Sequence, residues 1–290
     1  MFVALAAARF AHFAAICLLF GLAAFPFYAG SQAGGTDRLS RWLTTSGLLA
    51  VATGALELLA MVGNMGGTWS SAFDSDMLSA ALTDTGFGRV WVWRLGLSAV
   101  AAVLCLRPFT GRDPALLGVS GSLLASVALT GHSPMPGGAL GRVHQMADSV
   151  HLLAAGWWIG GLLALLLVAP PAPAERLARI LTRFSRVGYA GVTLLILSGL
   201  IKSLILVTPA IALVTTGYGE LLLLKLFLFG AMLLLALSNK RRITPALALG
   251  SDPNCWNRRL LAQVRNEFGL GLLVLVAVGA LGAMSPPLSQ

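Results

Sequence analysis

The chain has 290 residues, 57% of them hydrophobic and only 11% charged. Soluble domains carry about 25% charged residues, so this composition excludes an ordinary soluble globular protein and leaves little chain for a soluble domain beside a membrane part. The net charge of +9 would suit a nucleic-acid binder, but the basic residues are placed as a membrane orientation signal, and no nucleic-acid partner is expected.

Crossing the hydrocarbon takes about 20 apolar residues as helix. Lipid cannot satisfy free backbone groups, so every crossing must be helical. Eight segments qualify. The first, 10–29, is preceded by a single charge, Arg9. Its apolar run exceeds the roughly 7–15 residues of a signal-peptide core, which predicts a retained helix. The second, 43–63, holds Glu57 and is followed by a Gly-, Ser-, Thr- and Asp-rich stretch to residue 88 that reads as a solvated loop. The third and fourth, 90–106 and 115–130, are short and are expected to extend into their flanks. The fifth, 152–169, is led in by His144, Asp148 and His151. The sixth, seventh and eighth are 187–207, 221–238 and 268–284; the stretch 239–265 holds six basic residues and no legible chemistry. No internal repeat is visible. The expectation is an all-α polytopic membrane protein in which residues 1–290 form one transmembrane domain with eight helices.

The loops alternate in charge. Arg38, Arg41, Arg107, Arg112, Arg176, Arg179, Arg183, Arg186, Lys240, Arg241, Arg242, Arg258, Arg259 and Arg265 all fall on one side. The other side has Arg89 and Arg142 with Asp74, Asp76 and Asp84. The positive-inside rule then predicts that both termini are periplasmic, in a bacterial inner membrane. Trp42 and Trp256 fall near one predicted interface and Trp69, Trp91 and Trp93 near the other, which reads as an aromatic belt.

All four histidines, His12, His132, His144 and His151, fall in the predicted periplasmic half. So do Met61, Met65, Met77, Met135, Met146 and Met284, while Met232 lies deeper. Imidazole and thioether are copper ligands, and thioether selects Cu(I). His144, Asp148 and His151 stand at i, i+4 and i+7, so on a helix they share one face. Asp148 reads either as a ligand or as a group that orients a ligating ring. His151 already sits within the apolar span, where an ionisable residue marks function by default. His132 and Met135, in a Pro-bounded turn, are close enough in sequence to converge on one ion. His12 reads equally as a ligand or as a structural hydrogen-bonder. Met61 and Met65, at i and i+4, read as packing or as ligands. The in-span charges Arg9, Glu57, Arg94, Lys202 and Lys225 need partners: Glu57 pairs with one of the basic residues, or else neutralises a cation or relays a proton, while Arg94, Lys202 and Lys225 can snorkel. Cys17 and Cys105 read as small apolar filler, and Gly156, Gly160 and Gly161 as helix-packing devices.

Several of these segments together resemble the CopD family of bacterial copper resistance membrane proteins. They are Arg9-Phe-Ala-His12, Thr130-Gly-His132-Ser and Asp148-Ser-Val-His151-Leu-Leu-Ala-Ala-Gly-Trp157-Trp-Ile-Gly-Gly161, then Arg183-Phe-Ser-Arg186, Tyr218-Gly-Glu-Leu-Leu-Leu-Leu-Lys225 and Asn239-Lys-Arg241. The resemblance covers nearly the whole chain in order, and the Asp148–Gly161 stretch is its most distinctive part. It implies an eight-helix inner-membrane protein that moves copper from periplasm to cytoplasm, and a periplasmic CopC-type partner acting in trans. No GxxxxGK[ST] is present, so ATP-driven pumping is not expected, and the chain reads as a transporter rather than an enzyme.

The expected copper residues are therefore His12, His132, His144, His151, Met61, Met65, Met135, Met146 and Asp148, with Cu(I) favoured over Cu(II). Two rivals remain: a b-type haem held axially by histidines such as His12 and His151, and a copper-delivery scaffold with no path through the bundle.

Overall fold

The computed structural model describes residues 1–30, 37–107, 110–130, 138–169, 173–206, 211–248 and 253–284. His132 and Met135 lie outside the described residues. Eight helices are long and apolar enough to cross a membrane, and among the described residues there is no strand. They are α1 (Phe2–Ala29), α2 (Asp37–Gly66), α3 (Gly86–Leu106), α4 (Arg112–Ala125), α5 (Ala139–Val168), α6 (Ala174–Leu206), α7 (Gly217–Ser238) and α8 (Pro253–Leu281). A 3-10 turn, Ser126–Thr130, carries α4 onward. The two short predicted segments thus extend into their flanks as expected.

Helix α1 is central. It touches α2, α4, α5, α6 and α8, so the N-terminal segment is an integral part of the bundle. The closest approach is between α1 and α5: a Cβ on Gly21 would lie 2.3 Å from the Gly156 carbonyl oxygen and 2.6 Å from the Gly160 Cα. Small residues let two backbones touch where lipid supplies no hydrophobic drive for helix association. Gly279 plays the same part between α8 and α1, where a Cβ would meet the Ala6 carbonyl oxygen at 2.7 Å. That contact also puts both chain ends at one face of the bundle, called here the terminal face. Cys17 and Cys105 are buried free thiols, and Cys105 fills the space beside Gly47; both act as the filler expected of them.

Two loop expectations are corrected. The stretch between α2 and α3 is folded: a 3-10 turn, Ser70–Phe73, leads to a helix, Ser75–Thr83, capped by Asp74, whose side chain accepts from the Asp76 and Met77 amides. Ala72 and Ala81 are buried beneath it, so hydrophobic burial fixes a segment whose composition reads as solvated. Beyond α7, the chain continues through a π-helical turn, Asn239–Ile243, into a short helix, Thr244–Ala248, that buries Ile243.

Two polar clusters on one cavity: a candidate functional site

A cavity of about 780 Å³ opens among α1, α2, α3, α5, α6, α7, α8 and the 3-10 end of α4, from near the terminal face inward to Met232. Its walls are mostly apolar. Its polar lining comes from Arg9, Glu57, His144, Asp148, His151, Lys202, Tyr218 and Lys225, and three thioethers reach it, from Met61, Met232 and Met284. Such a pocket, apolar with a few convergent polar groups, is the usual form of a ligand site.

His144, Asp148 and His151 share this cavity, as their spacing predicts. His12 does not line it. That ring is fully buried against α2, where Gly54 makes room: a Cβ there would stand 3.1 Å from His12 Cε1. Trp91 lies on the same side, with ring centroids 6.1 Å apart.

Each of these two histidines has its tautomer set by a hydroxyl. His12 Nδ1 is 3.2 Å from Thr53 Oγ1, and that hydroxyl already donates its proton to the Leu49 carbonyl. His151 Nδ1 is 2.9 Å from Ser198 Oγ, which donates to the Leu194 carbonyl. A hydroxyl has one proton to give, so both oxygens accept, and both Nδ1 atoms carry hydrogen. In the neutral ring Nε2 then holds the lone pair. His12 Nε2 is buried with no hydrogen-bond partner among the described residues. A second-shell hydrogen bond at one ring nitrogen commonly prepares the other for a metal.

Two ion pairs accompany them. Arg9 Nε is 3.5 Å from Glu57 Oε1, with both side chains almost wholly buried. Lys202 Nζ is paired with Asp148 Oδ1. Glu57 therefore takes the paired role, and Asp148 faces an ammonium rather than orienting a histidine. Glu57 Oε2 has no hydrogen-bond partner among the described residues.

Arg94 does not snorkel. It is 1% exposed, lies 4.5 Å above the Trp91 ring, and donates to Ser126 Oγ (3.2 Å), the Ser126 carbonyl (2.9 Å) and Thr130 Oγ1 (2.6 Å). Its guanidinium closes the 3-10 end of α4, whose last carbonyls lack helical partners. Trp91 is correspondingly fully buried, not part of an interfacial belt, whereas Trp93 is exposed.

These contacts expose a repeat that inspection of the sequence missed. Ala81-Leu-Thr-Asp-Thr85-Gly-Phe-Gly88, which leads through five residues to Arg94-Leu95, matches Ala212-Leu-Val-Thr-Thr216-Gly-Tyr-Gly219, which leads through five to Lys225-Leu226. The geometry matches too. Thr85 Oγ1 donates to the Ala81 carbonyl (2.7 Å) and accepts from the Gly88 amide (2.8 Å). Thr216 does the same with Ala212 (2.7 Å) and Gly219 (3.1 Å). A Cβ on Gly88 or Gly219 would collide with the Ala81 or Ala212 carbonyl oxygen at 2.2 or 2.3 Å.

The correspondence extends to the clusters. Arg9 and His12 answer to Asp148 and His151; Leu49, Thr53, Gly54 and Glu57 answer to Leu194, Ser198, Gly199 and Lys202, at identical spacing. The ion pair survives with its charges exchanged. The bundle is thus two four-helix halves, α1–α4 and α5–α8. The match is invisible to plain identity because the paired positions conserve chemistry or complementarity rather than residue type.

The other expected copper residues are dispersed. Met65 and Met146 are exposed, at 64% and 69%. His144 is buried, and neither ring nitrogen has a hydrogen-bond partner among the described residues. No three His, Cys, Asp or Glu side chains among the described residues converge as a metal site.

Residues 1–142 match the family described as copper resistance protein D-like, N-terminal domain, and residues 178–281 match copper resistance protein D. No solved structure matches the chain. The chain is 28% identical to the inner membrane protein YebZ of Escherichia coli K12 over 97% of both chains. It is 30% identical to the copper transport protein CutJ of Bacillus subtilis 168 over 97% of this chain and 53% of that one. It is 32% identical to copper resistance protein D of Pseudomonas syringae pv. tomato over 97% of this chain and 96% of that one. Matching a relative at that level end to end, this multi-pass membrane chain belongs to the copper resistance protein D family.

Proposed function

We propose that the protein sits in a bacterial inner membrane with both termini periplasmic, as one transmembrane domain, and carries copper toward the cytoplasm without catalysing a reaction. The observation that carries this reading is the pair of neutral histidines whose Nδ1 atoms are tied to hydroxyls, leaving Nε2 lone pairs inside a membrane bundle. His151 is the entry ligand in the cavity. His144 precedes it toward the terminal face, with His132, Met135 and the exposed Met65 and Met146 as surface ligands. Met61, Met284 and Met232 supply thioethers, which favours Cu(I); Met232 gives the inner half a soft ligand that sequence spacing alone did not connect to the others. A CopC-type periplasmic protein acting in trans delivers the ion at the terminal face.

The enclosure of His12 weighs against haem, because Gly54 and Trp91 crowd its ring and it has no access to the cavity. Elemental analysis and an absorbance spectrum of purified protein, wild type and His151→Ala, test the reading. Bound copper that disappears in the variant is expected, followed by reduced cellular copper accumulation. A Soret band with stoichiometric iron, lost in the same variant, would overturn it. Copper binding retained in His12→Ala, with accumulation unchanged, would leave a delivery scaffold instead of a path.

A further inference from the structure

The two halves differ in what satisfies the cation on their third helix. In the first half Arg94 is held by Ser126, Thr130 and the face of Trp91. Its counterpart Lys225 has no hydrogen bond or ion-pair partner among the described residues, although it feels the charges of Asp148 and Lys202. The residues of α8 and just beyond it that line the cavity are Val274, Val278, Leu281, Gly282 and Met284, none with a side-chain hydroxyl. Among the charged groups lining the cavity, Arg9 is matched by Glu57 and Lys202 by Asp148; Lys225 is the surplus.

The helices differ in the same way. In the first half α2 packs closely on α3, whereas the equivalent pair α6 and α7 is absent from the close helix contacts, and both helices line the cavity. The outward sides of α6 and α7 are apolar and exposed, as at Leu197, Phe227 and Leu234. An isolated ammonium in such a setting is expensive. An anionic head group beside it, with an apolar tail along the walls, removes that cost.

We propose that the cavity binds a membrane-derived amphiphile with one anionic head, held by Lys225 with Tyr218 and Lys202. The volume, about 780 Å³, lies in the range of ordinary ligand pockets. This site stands whether or not copper is the cargo, and a bound anion would bring the cavity lining to neutrality.

The test is binding of radiolabelled palmitate to delipidated protein in an uncharged maltoside detergent. The expected result is one saturable site per chain, displaced by unlabelled palmitate or lysophosphatidic acid but not by hexadecanol. Which acid displaces better separates a carboxylate head from a phosphate head. Lys225→Met keeps the side-chain length, removes the charge, and should weaken binding by about tenfold or more, a single lost charge-assisted contact. Tyr218→Phe should weaken it less, and Arg259→Met, on α8 and outside the cavity lining, should not change it. Absence of a saturable site, displacement by hexadecanol as effective as by the acids, or unchanged affinity in a folded Lys225→Met would each overturn the proposal. Copper content, measured on the same preparations, reports separately on the transport reading.

Discussion

The first and second halves of the bundle use one plan for opposite ends. Each sets a histidine on its first helix against a hydroxyl and a glycine on its second, with an ion pair one turn toward the terminal face and a cation on the third helix. In the first half His12 is fully buried, Arg94 is bonded three times over, and the pair Arg9–Glu57 is almost wholly buried although both residues border the cavity. In the second half the same positions line an open cavity. The difference teaches that equivalent polar positions are enclosed where the neighbouring helices pack closely and face a cavity where they do not.

The largest expected contrast lies in the ion pairs. Glu57→Gln removes the charge that faces the buried Arg9, and breaking a buried pair costs about 3–5 kcal/mol. The Asp148 and Lys202 side chains retain 13% and 23% exposure, so Asp148→Asn should cost clearly less. Thermal unfolding in detergent measures both; equal losses would break the distinction between a closed and an open half.

A smaller contrast concerns the glycines. Gly54→Ala puts a Cβ 3.1 Å from His12 Cε1, whereas Gly199→Ala puts one at an ordinary 3.5 Å from His151 Cε1. Overpacking costs about 1–3 kcal/mol, so the first variant should lose that much stability and the second little. A silent Gly54→Ala would mean that His12 has room to move.

The hydroxyls give the smallest stability effect and the sharpest functional one. Thr53→Val and Ser198→Ala each remove a hydroxyl that accepts from a ring nitrogen and donates to a backbone carbonyl, at about 1 kcal/mol per hydrogen bond. Ser198→Ala also frees the His151 tautomer and should weaken copper binding about 10- to 100-fold, as loss of an outer-shell partner does. If Thr53→Val weakened copper binding more than Ser198→Ala, the entry ligand would be His12 rather than His151.

Much of the fold was legible before any coordinates. The eight crossings follow from hydropathy, and the extension of the third and fourth segments follows from the thickness of the bilayer. The spacing of His144, Asp148 and His151 correctly put them on one face. What failed has a common cause. Trp91 and Arg94 read as interfacial because their depth suits a belt, yet the helix Ser75–Thr83 and the end of α4 cover them. The 65–88 stretch read as solvated because its small polar residues carry no periodic apolar signal, yet two alanines suffice to seat it.

The sequence by itself determined that the chain is an α-helical membrane protein with eight crossings, because lipid imposes length, apolarity and helix on every crossing regardless of neighbours. Only the tertiary structure decided which charges pair, which histidine is sealed and which opens on a cavity, and that the two halves repeat. Those outcomes depend on which helix faces which and at what rotation, and hydropathy along one chain carries no information about that.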